Sequence, residues 1–193
     1  MKKLFVLVPL SFIITAFTGG TELHVKQDTN NLVKFISDAK IETFEGVTNN
    51  VNGYMYWEGD DLTNKSQVYF EVDLNTIDTG IGLRNRHMRE NYLETDKYRY
   101  TNFSGKITSA KKTDKDKYDV EVEGTISIHG VIKPLMVKGT VTKVDDKDYT
   151  IKSIFEVKLS DFKIEVPSLM FLKVSEVIKL QLNVNMMIPD KLG

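Results

Sequence analysis

The stretch that decides the fold is residues 118–128, which read YDVEVEGTISI. One parity of this stretch is apolar apart from a glycine and comprises Tyr118, Val120, Val122, Ile126 and Ile128. Charged and hydroxyl side chains occupy the other parity. Successive side chains of a strand point to opposite faces of the sheet, so this period of two predicts a half-buried β-strand.

The same alternation continues along the chain on both sides of this strand. It is clear in residues 68–74, 135–142 and 178–186, and weaker strand signals cover residues 32–37, 41–48, 51–58, 98–110 and 149–159. Many antiparallel strands with one dry face either pack as a sandwich or close on themselves. About eight such strands can close into a barrel whose interior holds one small ligand. The fold class predicted is therefore all-β and antiparallel.

Two stretches lack the strand pattern. Residues 80–95, GIGLRNRHMRENYLET, carry apolar side chains at mixed spacings of three to five, which predicts a short helix. Residues 167–178 contain an apolar cluster that predicts either a helical turn or an apolar loop over a barrel mouth.

Length and composition restrict the class of protein. The 193 residues suit one domain, and no flexible linker divides them. A net charge of −1 argues against nucleic acid as a partner, because phosphate binding uses a clustered cationic face. The absence of cysteine excludes disulfides, thiolate zinc sites and thiol nucleophiles.

The N-terminal segment has the layout of a secretory signal peptide. Lys2 and Lys3 precede an apolar run, and small residues follow it. The alternative is a membrane anchor, but the run of about 14 residues is shorter than the roughly 20 that span a bilayer. We therefore expect residues 1–20 to be removed after Thr18 or Gly20. The mature chain, residues 21–193, is then periplasmic or secreted, without a stable membrane anchor.

Residue patterns for catalysis and metal binding are missing from the sequence. The three histidines, His24, His87 and His129, lie far apart and have no metal-ligand spacing. A nucleophile elbow and a phosphate-binding glycine loop are also absent. We predict no catalytic residue, no metal site and no cofactor.

Two ordered blocks resemble the signature of the YceI-like family. The first runs Ile77-Asp78-Thr79-Gly80, Arg84, His87-Met88, Tyr92-Leu93 and Lys97-Tyr98. The second is residues 124–134, GTISIHGVIKP. The resemblance implies a lipocalin-like barrel in the periplasm or outside the cell. It also implies a polyisoprenoid chain, such as the tail of a quinone or a prenyl phosphate, held in the barrel interior.

Strand parity predicts which side chains would line that interior. The ligand wall predicted is Phe70, Val72, Val122, Ile126, Ile128, Val137, Phe155, Val157, Leu180 and Leu182, and the alternative for each is plain core. Leu169, Met170 and Phe171 are predicted to line the mouth. Arg84, His87 and Lys133 either meet a polar head group at the rim or fix the 80–95 segment to the barrel.

The function expected is a non-enzymatic carrier of a long apolar lipid, an isoprenoid or a quinone. Two rivals stay open at this point. One is an exported interaction module with a filled core. The other is an enzyme that acts on a lipid head group with His87 as its base. The oligomeric state stays open as well.

Overall fold

The computed structural model describes residues 19–28, 30–38, 42–166, 168–169 and 172–189, so the predicted signal segment lies almost entirely outside it. The described residues form twelve strands: β1 (Gly20–Val25), β2 (Leu32–Asp38), β3 (Thr43–Thr48), β4 (Val51–Glu58), β5 (Gln67–Asp73), β6 (Tyr100–Asp114), β7 (Lys117–Ile128), β8 (Val131–Lys143), β9 (Asp148–Lys158), β10 (Ser168–Leu169), β11 (Leu172–Lys173) and β12 (Val177–Met187).

Strand pairing closes the sheet into an antiparallel barrel. The order is β1-β4-β5-β6-β7-β8-β9-β12-β2-β3, and β1 also pairs with β12. Along one edge, β12 pairs first with β2 and then with β1. These two strands therefore lie end to end and together fill one position of the barrel. β3 and β4 share the next position in the same way, because they pair with β2 and β1 respectively. The barrel thus has eight strand positions, which confirms the antiparallel all-β class predicted from alternation and the barrel that the family resemblance implied.

The β7–β8 hairpin shows how the sequence sets the register. His129 and Gly130 form its two-residue turn, and both have positive φ, 51° and 72°. A two-residue turn of this kind matches the twist of antiparallel strands. It brings Ile128 opposite Val131 and Val122 opposite Val137, so the apolar parities of both strands share one face.

The inward face carries two clusters of buried side chains. The larger one includes Leu23, Val51, Met55, Val141, Val184 and Met186, each at most 2% exposed. It also contains Trp57, whose ring meets Tyr149 edge-on. A second, smaller cluster lies around Phe162 and Ile178. Both clusters contribute side chains to cavities inside the barrel.

Helical turns lie at the end of the barrel that holds the second cluster, around Phe162 and Ile178. A 3-10 turn, Leu74–Thr76, follows β5; helix α1, Gly82–His87, continues into a π-helical turn, Met88–Tyr92; and a second 3-10 turn, Leu159–Phe162, follows β9. The short helix predicted within residues 80–95 is therefore present. Among the described residues, no helix is long and apolar enough to cross a bilayer.

The prediction for residues 167–178 needs correction. A helical turn was one expectation there, but the described backbone forms two short antiparallel strands, β10 and β11, which pair Ser168 with Lys173. Apolar composition alone does not distinguish a short hairpin from a helical turn, because both need only a few residues to cover a core.

An ion pair at the end of β5 gives the fold a pH-dependent contribution. Asp73 is 6% exposed, and its Oδ2 accepts hydrogen bonds from Nε and an Nη of Arg99 at 3.0 and 2.7 Å. Hydrogen bonding by Arg99 lowers the pKa of Asp73, and the backbone N–H of Asn75 adds to this effect. A depressed carboxyl pKa stabilises the folded state above the ordinary value of about 4. The contribution is lost as the pH falls through the folded-state pKa.

We therefore expect Asp73→Asn to lower stability near neutral pH by about 1 kcal/mol, since the exposed Arg99 limits the strength of the pair. Urea unfolding of both proteins at pH 7 and at pH 2.5 would measure the difference. The gap should narrow at the acid pH. A gap that stays constant between the two pH values would contradict an origin in the Asp73 carboxylate.

Candidate functional site

Two adjacent cavities lie inside the barrel. The inner chamber measures about 160 Å³ and lies among the middle of the strands. The outer chamber measures about 520 Å³ and lies under the helical end. Both linings contain Phe35, Leu74, Ile77, Thr101 and Leu180, so the two chambers meet at these residues.

All ten side chains predicted for the ligand wall line these chambers. The inner chamber is lined by Phe70, Val72, Val122, Ile126, Val137, Phe155, Leu180 and Leu182, and the outer chamber by Ile128, Val157 and again Leu180. Parity placed them correctly because β5, β7, β8, β9 and β12 all keep one dry face. Whether they contact a bound lipid stays a prediction.

The junction between the chambers was not predicted. Phe35 on β2 lies directly opposite Gly46 on β3. A Cβ built on Gly46 would overlap Cε1 of the Phe35 ring and lie 2.8 Å from Cγ2 of Ile77. The ring therefore rests against the barrel wall in space that only glycine leaves free. The Phe35 ring also contacts the Phe44 ring, with centroids 5.8 Å apart. It lines both chambers.

The first family block positions the helical segment over the outer chamber. Asp78 Oδ1 accepts hydrogen bonds from the Gly80 N–H at 2.8 Å and from Asn85 Nδ2 at 2.7 Å. Asn85 Oδ1 in turn accepts a hydrogen bond from the Thr79 hydroxyl at 2.6 Å. The bond from Asn85 lowers the pKa of Asp78, so the carboxylate stays ionised as the acceptor of this turn. A bridge between Val47 and Asp78 joins the turn to β3.

Arg84 serves the same anchoring purpose. Its Nε donates to the Thr79 hydroxyl at 3.0 Å, one Nη donates to the Thr79 carbonyl at 2.9 Å, and the other donates to Glu42 at 3.2 Å. The guanidinium also lies 4.6 Å from the centroid of the Phe44 ring. Of the two roles considered for Arg84, these contacts correspond to fixing the helical segment.

The structure places the other two predicted rim residues, His87 and Lys133, in different surroundings. His87 is exposed, lines the outer chamber, and has no hydrogen-bond partner among the described residues. Lys133 is exposed on β8 and lies outside the described lining of both chambers. The structure therefore brings His87 and Arg84 to the mouth but not Lys133. The side chains of the predicted mouth residues Leu169, Met170 and Phe171 lie outside the described part of the chain.

The second family block fastens the loops at the mouth through His129. Its Nδ1 lies 3.2 Å from the Phe162 carbonyl, and its Nε2 lies 2.8 Å from Glu94 Oε2. The Tyr98 ring meets the imidazole edge-on, with centroids 4.6 Å apart. His129 thus joins the β7–β8 turn to two other loops. Because both ring nitrogens are engaged, it is a structural residue of the mouth.

Groups that could hold a metal do not converge within the described ranges, where no cluster of three or more histidine or carboxylate side chains occurs. The polar side chains that line the outer chamber are few, namely Glu42, Arg84, His87, Thr101 and Glu165. Its remaining wall is aliphatic and aromatic. Such a surface can enclose an apolar chain and offers only a small number of polar contacts.

A closed antiparallel barrel with an apolar tunnel that reaches a helical mouth defines a lipocalin-like barrel protein. The sequence profile of the YceI-like domain matches residues 24–186, and the chain belongs to this family. The resemblance drawn from the two sequence blocks is thereby confirmed. No protein with a curated description matches the chain significantly.

Solved structures share this fold at low sequence identity. BcnA of Burkholderia cenocepacia is 15% identical with a TM-score of 0.69, covering 83% of this chain and 98% of its own. A polyisoprenoid-binding domain from Saccharophagus degradans, implicated in plant cell wall breakdown, is 16% identical with a TM-score of 0.70, covering 86% and 98%. The YceI protein of Campylobacter jejuni is 19% identical with a TM-score of 0.62, covering 80% and 91%.

Proposed function

We propose that this protein is an exported, non-catalytic carrier that encloses the tail of an isoprenoid or quinone lipid in its barrel. The observation that carries the proposal is the apolar tunnel, formed by an inner chamber of about 160 Å³ and an outer one of about 520 Å³. The polyisoprenoid-binding domain of similar fold supports it. The N-terminal basic and apolar segment supports export.

The size of the tunnel sets the length of tail that it can enclose. An apolar cavity of about 150 Å³ stays dry and takes a guest as large as benzene. By that measure the inner chamber holds about one five-carbon unit and the outer chamber about three. A tail of about four units would then be enclosed, with its head at the mouth.

The energetics favour such a guest over water. Burial of each CH₂ contributes about 0.8 kcal/mol, so one five-carbon unit contributes roughly 3–4 kcal/mol. Association and ordering oppose binding by about 4–15 kcal/mol. Several enclosed units therefore exceed the cost with little help from the head group. Affinity should rise steeply with tail length until the tunnel is full.

The rival functions have less support from this geometry. A filled interaction module does not need chambers that are many times the volume of one water, about 10–15 Å³ by the same measure. An enzyme with His87 as base needs a partner to position the imidazole, and the described residues supply none within hydrogen-bonding distance. The proposal accordingly assigns neither a catalytic residue nor a resident cofactor to the chain.

Expression of the full chain, purification of the exported form and solvent extraction test the proposal directly. Mass spectrometry of the extract should find a prenyl lipid in a ratio near one per protein. The intact mass should show removal of the first 18–20 residues. Protein stripped of lipid should take up prenyl alcohols with affinity that increases along the series from two to four units. No lipid in the extract and no uptake of any prenyl alcohol would reject the carrier function.

A further inference from the structure

The outer chamber carries more negative than positive charge where a lipid head would lie. Its described lining contains two carboxylates, Glu42 and Glu165, against one guanidinium, that of Arg84. Glu165 is exposed at the mouth. Arg86, the next arginine on α1, lies outside this lining. Glu42 is paired with Arg84, so an anion at this wall would meet the Glu165 carboxylate, which has no ion pair among the described residues.

The guanidinium of Arg84, the cation among the described wall residues, is already committed. Glu42 neutralises Arg84 across 3.2 Å, and Thr79 accepts two further hydrogen bonds from its guanidinium. Phe44 covers part of the guanidinium plane. A phosphate would have to displace these contacts and loosen the helical segment that forms the mouth. Recognition of phosphate normally relies on guanidinium groups free to bind in a bidentate manner.

His87 provides the contrasting contact. It lines the same chamber, and none of the described residues satisfies its imidazole. A neutral imidazole offers one N–H donor and one acceptor nitrogen. This pair suits a hydroxyl, which both donates and accepts, or a quinone carbonyl, which accepts. Water at the open mouth can satisfy the ring when no guest is bound.

We infer that the guest has an uncharged head, an alcohol or a quinone, and that prenyl phosphates are disfavoured. This inference rests on the proposed carrier function and specifies the ligand class of the same site. The tail supplies the affinity in either case. The head group decides whether the mouth accepts the lipid, because a phosphate ester brings a charge of about −1.5 to −2 towards the Glu165 carboxylate and a guanidinium that Glu42 already pairs.

A tail-matched pair of ligands tests the inference. Stripped protein is titrated with geranylgeraniol and with geranylgeranyl monophosphate, each below its micellar concentration, by displacement of a fluorescent apolar probe. We expect the alcohol to bind at least about tenfold more tightly than the phosphate at low ionic strength. This ratio of affinities should fall in high salt, because salt screens charge at the exposed mouth. Equal or tighter binding of the phosphate would overturn the inference while leaving the carrier function intact.

Two variants identify the groups responsible. Glu165→Gln should raise the affinity for the phosphate several-fold relative to the affinity for the alcohol, because it removes a charge without changing shape. His87→Ala should weaken binding of the alcohol but not of a headless hydrocarbon with the same tail. If Glu165→Gln alters both ligands equally, the discrimination does not arise from charge at the mouth. If neither ligand binds the unaltered protein, the proposed function itself fails.

Discussion

Replacing Gly46 with valine is expected to abolish the affinity contributed by the fourth isoprene unit of a prenyl alcohol while leaving shorter tails bound. Any side chain at position 46 overlaps the Phe35 ring, which lies between the barrel wall and the passage. The ring cannot move outward, because β3 lies behind it. It must therefore turn into the junction and close the inner chamber.

The size of the effect follows from the unit that is lost. The inner chamber holds about one five-carbon unit, whose burial contributes roughly 3–4 kcal/mol. In the unaltered protein a four-unit alcohol should bind several hundredfold more tightly than a three-unit alcohol. In Gly46→Val the two should bind alike, since both fill only the outer chamber. Titration of the same stripped protein with both alcohols measures the ratio.

A double variant separates closure of the passage from general damage to the fold. Phe35→Ala combined with Gly46→Val removes the ring that valine displaces, and it should recover the preference for the longer tail. Continued binding of the three-unit alcohol by Gly46→Val would show that the barrel is intact. A single variant that still discriminates between the tails would show that Phe35 does not control access to the inner chamber.

Strand parity was sufficient to place the ten predicted side chains on the chamber wall, which also contains many residues that it did not single out. Residues such as Val122 and Phe155 lie in strands that keep one polar and one apolar face, so their direction follows from sequence position alone. The same rule did not fix the location of Lys133. It shares the parity of Val137, but it lies closer to the β7–β8 turn, and there its side chain is exposed.

Phe35 and Gly46 could not be found in this way. The segment LVKFIS, residues 32–37, is apolar on both parities, and side chains 32–36 are all partly buried in the structure. No face is therefore distinguished in the sequence. The role of Gly46 depends on a neighbour eleven positions earlier, which becomes adjacent only through the pairing of β2 with β3.

The family blocks located the mouth but not the task of each residue within it. Arg84 and His87 lie one helical turn apart in the same motif, yet Arg84 bonds to the protein and His87 faces the chamber. Arg84 is held by Thr79 of the same block and by Glu42, which lies on another segment. Spacing within the motif carries no information about a partner such as Glu42. The distinction became visible only with the tertiary contacts.

A second large effect is expected from Gly124→Ala, which should destabilise the barrel wall itself. Gly124 on β7 pairs with Gly105 on β6. A Cβ at position 124 would overlap the Ser104 carbonyl oxygen and lie 2.7 Å from the Gly105 Cα. Both are backbone atoms, which cannot move aside without disturbing the ladder between the two strands. The two glycines thus permit the close approach with which the sheet coils into a barrel.

The expected cost is about 3 kcal/mol, the upper end for overpacking of a rigid site, which for a domain of this size lowers Tm by roughly 6–12 °C. Gly82→Ala is the matched control, because a Cβ there has no atom within 4 Å and alanine favours the helix. Calorimetry on lipid-free protein isolates the strain in the wall from any loss of bound guest, which would also lower Tm. The Phe103 ring, 2.9 Å from the added Cβ, lines the inner chamber, so the strain should also reach the tunnel. Equal Tm values for the two alanine variants would mean that the barrel can widen at this point, and the coiling of β6 against β7 would then not depend on glycine.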